Sequence, residues 1–261
     1  MKRAGRQATL GGAAVLAALL LPASAPAQTA ASPPAPTVDE IVAKHLAARG
    51  GREALAAVKT LRMSGRATAG PGREAVLRRE IARPGKIRTE FVFQGTTGVY
   101  AWDGSQGWRV SPLDGSLDAE PLPDDEAAAS AEQADIEGPL VDWKAKGNRV
   151  ELAGFEQVGG KNAYRLKITL KDGSERYDYI DETTYRHVRT DVDRELRGLK
   201  VHTSAIFSGH RMQGGVLFPT VVEMSAVGRP QKLRVVVDKI EVNPKIPASR
   251  FERAAGAPKS P

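Results

Sequence analysis

Between Ala82 and Pro112 the chain reads ARPGKIRTEFVFQGTTGVYAWDGSQGWRVSP, three short runs separated by glycine turns with large apolar side chains on every second residue. Ile87, Thr89, Phe91 and Phe93 fall on one face of an extended strand, and Arg88 and Glu90 on the other. A period of two belongs to an antiparallel sheet with one dry and one wet face, and a one-residue slip would turn every one of these side chains over. The pattern returns downstream. Tyr164, Leu166, Ile168 and Leu170 oppose Arg165, Lys167, Thr169 and Lys171, and Leu199, Val201, Thr203, Ala205 and Phe207 share a face. Leu233, Val235 and Val237 alternate, then Ile240 and Val242 continue one position out of phase, which predicts a β-bulge near Asp238-Lys239.

Strands are also expected at Leu61–Ala69, Arg73–Arg83, Arg176–Asp181, Tyr185–Asp193 and Val216–Val227, with Lys171-Asp172-Gly173-Ser174 as a hairpin turn. Ahead of them, Thr37-Val38-Asp39-Glu40 has capping-box spacing. Val38, Ile41, Val42 and His45 or Leu46 then recur at helical spacing up to Gly50-Gly51, and a short second helix covers Arg52–Lys59. The acidic, alanine-rich stretch from Pro121 to Gly138 predicts a third helix over about Asp124–Trp143, with a break at Gly138-Pro139. The expected fold is mainly β (α+β): a curved antiparallel sheet of about 10–11 strands, an open half-barrel covered by the N-terminal helices and one central helical insertion. No fixed-period repeat and no polar linker interrupts the series, so residues 37–252 are expected to form one domain, with 253–261 a disordered tail.

The N-terminus predicts export. Lys2, Arg3 and Arg6 precede an uncharged apolar core from Leu10 to Leu21, and Ala25-Pro26-Ala27 fits the cleavage rule. Ala23-Ser24-Ala25 fits too but would leave Pro26 first, so residues 1–27 are taken as the signal peptide and 28–36 as a Pro/Ala-rich spacer. The apolar core is shorter than the roughly 20 residues that span a bilayer. Without any cysteine the exported chain carries neither a lipid-modified N-terminal cysteine nor a disulfide, so its fold must stand on packing alone. A chain of this size buries roughly 70–75% of the surface it exposes when unfolded, enough for that purpose. The signal holds three of the 38 basic residues against 31 acidic ones. The remaining excess is modest and scattered, with no basic run interleaved with aromatics, so nucleic acid is not an expected partner and membrane contact is transient at most.

Catalytic constellations are missing. His45, His187, His202 and His210 make no i, i+4 pair, and the chain has neither HExxH nor a phosphate-binding glycine motif. Asp191 and Asp193 share a strand face but stand among Arg186, Arg189 and Arg194, the pattern of ordinary salt bridges. Ser208-Gly209-His210 lacks a nucleophile-elbow context. His202, in parity with Lys200 and Ser204, reads as a surface histidine; Trp102 and Trp108 read either as core or as cavity wall. No catalytic residue, metal site or cofactor is expected, and the chain does not read as an enzyme.

The order of landmarks resembles one family. Arg83-Pro84 opens a strand, and Arg88, Asp103-Gly104, Trp108 and Pro112 follow. Tyr179-Ile180-Asp181 with Tyr185-Arg186 and Val188 is similar to a strand-turn-strand signature, although Tyr185-Arg186-His187 stands where a proline is often found. Ile240-Glu241-Val242-Asn243-Pro244 with Ile246-Pro247 and Phe251 resembles a closing segment. Together they resemble the LolA/LolB superfamily of periplasmic lipoprotein carriers, over most of residues 40–252. That resemblance implies a half-closed barrel that binds the acyl chains of lipoproteins or lipids without a cofactor, or a related ligand-sensing or adaptor domain that regulates an envelope membrane protein. The candidate cavity wall is the apolar parity class: Met63, Ile87, Phe91, Phe93, Tyr164, Leu166, Ile168, Leu170, Val201, Phe207, Leu233 and Val235. Every half-buried sheet has such a face, so the same residues serve equally as plain core.

Overall fold

The computed structural model describes residues 35–196 and 199–253; the expected signal peptide, nearly all of the spacer and most of the expected tail lie outside them. Helix α1 (Val38–Ala48) begins where the capping box places it: Thr37 Oγ1 accepts from the Glu40 amide at 3.3 Å and Glu40 Oε2 accepts from the Thr37 amide at 2.8 Å. Its buried stripe is Ile41, Val42, His45 and Leu46. Gly50, at φ 111°, turns the chain into α2 (Gly51–Ala57), and a side chain there would strike the Gly215 carbonyl.

Two meanders follow. The first is β1 (Thr60–Thr68), β2 (Glu74–Ala82), β3 (Lys86–Phe93), β4 (Thr96–Trp102), β5 (Gly107–Ser111) and β6 (Ser116–Pro121). Helix α3 (Asp124–Gln133) and a coiled stretch lead to β7 (Arg149–Val158), β8 (Lys161–Thr169), β9 (Glu175–Asp181), β10 (His187–Leu196) and β11 (Leu199–Ser208). A small separate hairpin, β12 (Arg211–Gln213) and β13 (Val216–Phe218), precedes β14 (Val221–Ala226) and β15 (Arg229–Val242). The main sheet has 13 strands in the order β6-β5-β4-β3-β2-β1-β15-β14-β11-β10-β9-β8-β7. Each neighbouring pair is antiparallel, and the edge strands β6 and β7 do not pair, so the sheet is not closed into a barrel.

Register carries one face across the whole sheet. Leu61 pairs with Ile81, Ile81 with Ile87 and Ile87 with Trp102. In the other direction Met63 meets Ile240, Val235 meets Val222, Val222 meets Phe207, and Ala205 leads through Thr190 and Asp178 to Leu166 and Leu152. The bulge expected at Asp238 is there: Ser64 faces Lys239, Gly65 faces Val237, and Asp238 is skipped. Gly65 is required at that point, because a Cβ would lie 1.9 Å from the Val236 carbonyl oxygen.

The main core forms where this inner face meets α1 and α2. Leu61, Ile81, Ile87, Leu166, Ile168, Ile180 and Ile240 pack with Ile41, Leu46, Leu55, Ile136, Leu140 and Val141. The outer face has a smaller cluster of Val99, Ala101 and Trp108, capped by the C-terminal segment. There Trp108 Nε1 donates to the carbonyl of the buried Phe251 at 3.0 Å, and Arg250 reaches Glu80 and Glu90 at 2.8 and 2.9 Å. Trp102 and Trp108 therefore serve opposite faces.

Three expectations change. The strand count rises from about 10–11 to 13 in the main sheet, since β6 and β7 join it, while Val216–Val227 splits around Pro219-Thr220 into β14 of that sheet and β13 of the separate hairpin. Helix α3 ends at Gln133, not near Trp143: Gly138 takes φ 81° before Pro139, and leaving the helical path lets Ile136, Leu140 and Val141 drop into the core. Asp191 is a buried member of its strand face, held by Arg189 Nε at 2.8 Å and Tyr179 Oη at 2.9 Å, while Asp193 meets His202 at 2.7 Å.

Candidate functional site

The inner face has two zones. Ile87, Tyr164, Leu166 and Ile168 are buried beneath the helices, and Met63, Leu170 and Val235 pack at the edge of the same core. Phe91, Phe93, Val201, Phe207 and Leu233 are only half-buried, and Met224, which register places beside Leu233, is 36% exposed. The helical cover thus seals one part of the face and leaves an apolar stretch unsealed. Phe91 stands edge-on to Tyr100 there, at 6.4 Å between ring centroids.

An arginine interrupts this surface. Arg79 pairs across the sheet with Met63 and Thr89, so it too is on the inner face. Its Nε donates to Thr89 Oγ1 at 3.2 Å, and among the described residues no carboxylate meets it. Burial alone pulls its pKa below the ordinary arginine value. Leu77-x-Arg79-x-Ile81 carries the alternation that could have exposed an inward arginine from sequence.

Helix α3 packs against β3, β4 and β5 on one side and β10 on the other. None of its ten residues is buried. Ion pairs hold it instead: Arg109 Nη1 reaches both carboxylate oxygens of Glu126 at 2.9 Å, and Glu132 pairs with Arg176 and Arg194. A cleft of about 690 Å³ runs beside it, bordered by Ala128, Ala131, Leu170 and Arg194.

A second chamber, about 320 Å³, lies between His45 and Arg49 of the α1 end, the 136–140 segment and the β9–β11 floor with Phe207. Asp178 at its base is 2% exposed and accepts from Arg176 Nη2 at 2.7 Å and Thr190 Oγ1 at 2.8 Å. Although burial opposes it, Arg176 and His187 hold that carboxyl far below the usual range. Burial first, then the Arg49 charge, push His45 down to about 3, so its ring is neutral. Burial and Arg186 also lower His210. Of the twelve proposed wall residues, Leu170 borders the cleft and Phe207 the chamber. Sequence reasoning missed Arg79, Arg176 and Asp178. Chemically the assembly offers apolar surface, a charge-tethered helix and a polar chamber; among the described residues no hydrogen bond joins Ser208 to His210.

An open antiparallel sheet with a helix tied across its apolar face defines a class of half-barrel folds. Solved structures place the chain more narrowly, in the LolA-like fold. It superposes on an outer membrane lipoprotein-sorting protein domain from Vibrio parahaemolyticus with TM-score 0.54 and 13% identity, covering 81% of this chain and 94% of that one. A LolA superfamily protein from Nitrosomonas europaea gives 0.54 and 13%, over 84% and 98% of the two chains. A DUF1329 family protein from Desulfovibrio piger gives 0.57 and 14%, over 83% and 98%. No family model and no curated protein sequence matches the chain.

Proposed function

We propose that the protein is a non-enzymatic periplasmic carrier that binds the acyl chains of lipoproteins or lipids on the unsealed part of its inner face. The observation that carries this reading is the half-buried stretch of Phe91, Phe93, Val201 and Leu233 on the face that α3 crosses without burying a residue. A core finished for stability alone would be expected to sink apolar groups of its covering helix into that face. Each methylene buried contributes about 0.8 kcal/mol, so a chain of a dozen carbons laid along this strip gains several kcal/mol net of ordering. In this reading α3 is the lid, the signal peptide directs export, and the client passes from one membrane to a receiving envelope protein. The chemistry needs no cofactor.

Mass spectrometry of lipid extracted from protein purified without detergent tests the reading. A stoichiometric acylated species is expected. Phe91→Asp should abolish its retention, whereas Lys167→Asp, on the outer face beside Glu175, should not. A protein that stays empty after incubation with lipid vesicles would sink the carrier reading and favour an adaptor for an envelope membrane protein. Equal loss in both folded variants would sink the assignment of the face.

A further inference from the structure

The 320 Å³ chamber is built unlike the apolar strip beside it. Its acids are answered: Asp178 by Arg176 and Thr190, Glu137 by Arg83 at 2.8 Å, and Asp135 by Lys146. Two of its cations have no carboxylate in direct contact among the described residues, although Asp135, Glu137 and Asp178 stand near enough to favour the charge on Arg49. Arg49 gives Nη1 and Nη2 to the carbonyls of Glu137 and Ile136 and touches no carboxylate, and Arg186, exposed on its rim, makes no ion pair among the described residues.

One acceptor facing the chamber also has no partner on the chain among the described residues. His45 is 3% exposed, and its Nδ1 lies 2.8 Å from the Tyr185 carbonyl oxygen. A carbonyl only accepts, so Nδ1 carries the hydrogen and the neutral ring keeps its lone pair on Nε2. Nε2 has no partner among the described residues, and the ring borders the chamber. An acceptor open to the chamber takes its hydrogen bond from water or from a hydroxyl or N–H of a ligand.

We propose that this chamber receives the polar end of an amphiphile that bears both an anionic oxygen and a hydroxyl. The hydroxyl donates to His45 Nε2, the oxyanion sits between Arg49 and Arg186, and Phe207 and Leu140 take the first carbons of the tail. The inference rests on the acyl-binding reading only for where the tail goes. A phosphate ester with a neighbouring hydroxyl has this chemistry, whether it is a lipid headgroup or a free soluble ester.

Calorimetric titration of the exported chain with three probes tests it: myristoyl lysophosphatidylglycerol, myristoyl lysophosphatidylcholine and glycerol 3-phosphate. The two lysolipids share the phosphate and its neighbouring hydroxyl, so both should bind, the anionic one about tenfold tighter because the choline ammonium of the other is repelled by Arg186. Arg186→Gln should remove most of that preference, and His45→Phe should weaken both lysolipids alike. Arg186 is exposed, so its variant keeps the test alive if His45→Phe does not fold. The ¹⁵N resonance of His45 Nε2 should move on adding the anionic probe to unaltered protein.

Equal affinity for both lysolipids, unchanged in both variants and with a stationary His45 resonance, overturns the headgroup site and leaves acyl binding standing; ordered water then answers His45. His45-dependent binding of glycerol 3-phosphate without either lysolipid supports the site as one for a soluble ester while the acyl reading falls. Binding of none of the three overturns both.

Discussion

His45 gives the fold a sensitivity to acid. Its imidazole ordinarily titrates near 6.5, but burial and the Arg49 charge hold it at about 3 in the folded state. Between those values the unfolded chain binds a proton that the folded chain refuses, so stability must fall as pH drops through that window. Asp178 adds to the loss lower down. Its folded carboxyl resists protonation while the unfolded one takes a proton near 3.8, so its contribution is present above that value and lost below it. Urea unfolding at pH 7 and pH 4.5 should therefore differ by about 2–3 kcal/mol from His45 alone. His45→Gln should flatten that slope, and equal slopes in both proteins would remove His45 as the cause. The burial of His45 is legible in its helical spacing with Ile41 and Val42. Its lone pair is not, because the carbonyl that sets the tautomer belongs to Tyr185, 140 residues away. The Arg176–Asp178 pair is hidden for another reason. In Arg176-Tyr177-Asp178-Tyr179 the alternation points the aromatics inward, yet the structure buries the charges there because Glu132, Thr190 and His187 arrive from elsewhere to meet them.

Among the elements α3 is the one held by charge and not by packing. Pairs between partly exposed groups contribute about 0–1 kcal/mol each and weaken in salt, so a helix tied this way opens at little cost to the rest of the fold. Glu126→Gln combined with Glu132→Gln should speed amide exchange over residues 124–133 by tenfold or more, and 0.5 M salt should act in the same direction. The global unfolding midpoint should move far less. Exchange that stays unchanged in the double variant would show that something other than these pairs secures the helix. The existence of α3 is written in its composition, but its end is not, since tertiary burial of Ile136 and Leu140 outweighs local propensity. The missed strands have their own causes. β6, SLDAEP, is an edge strand with little to bury, and the register of β7 slips between Leu152 and Phe155, which breaks the period on which recognition depends.

At the scale of the molecule the two faces have separate tasks. The outer face is stabilised by the strap that ends in Phe251, and the inner one is left partly open. Phe251→Ala should cost about 3–5 kcal/mol in denaturant unfolding. It should leave lipid bound per folded molecule unchanged; a parallel loss of binding would mean that the faces are coupled. Parity alone sorted all twelve wall candidates onto one face, because a period of two survives across the thirteen strands of the sheet once the strands are known. Which of them stay half-buried depends on where the helices lie, and that is decided by contacts distant in sequence.

The central seam has a consequence for the order of assembly. β1 and β15, the first and last strands of the sheet, lie side by side at its middle, locked at the bulge where only Gly65 fits. The β1–β6 wing and the β7–β14 wing have no main-sheet strand pairing between them until β15 arrives. A chain emerging N-terminus first from a ribosome or a translocation channel would hold two unjoined halves until its final strand was free. Completion of the sheet would then be a late event that reports the arrival of β15, and a chain cut short before β15 would leave both wings with bare edges and no partner to close them.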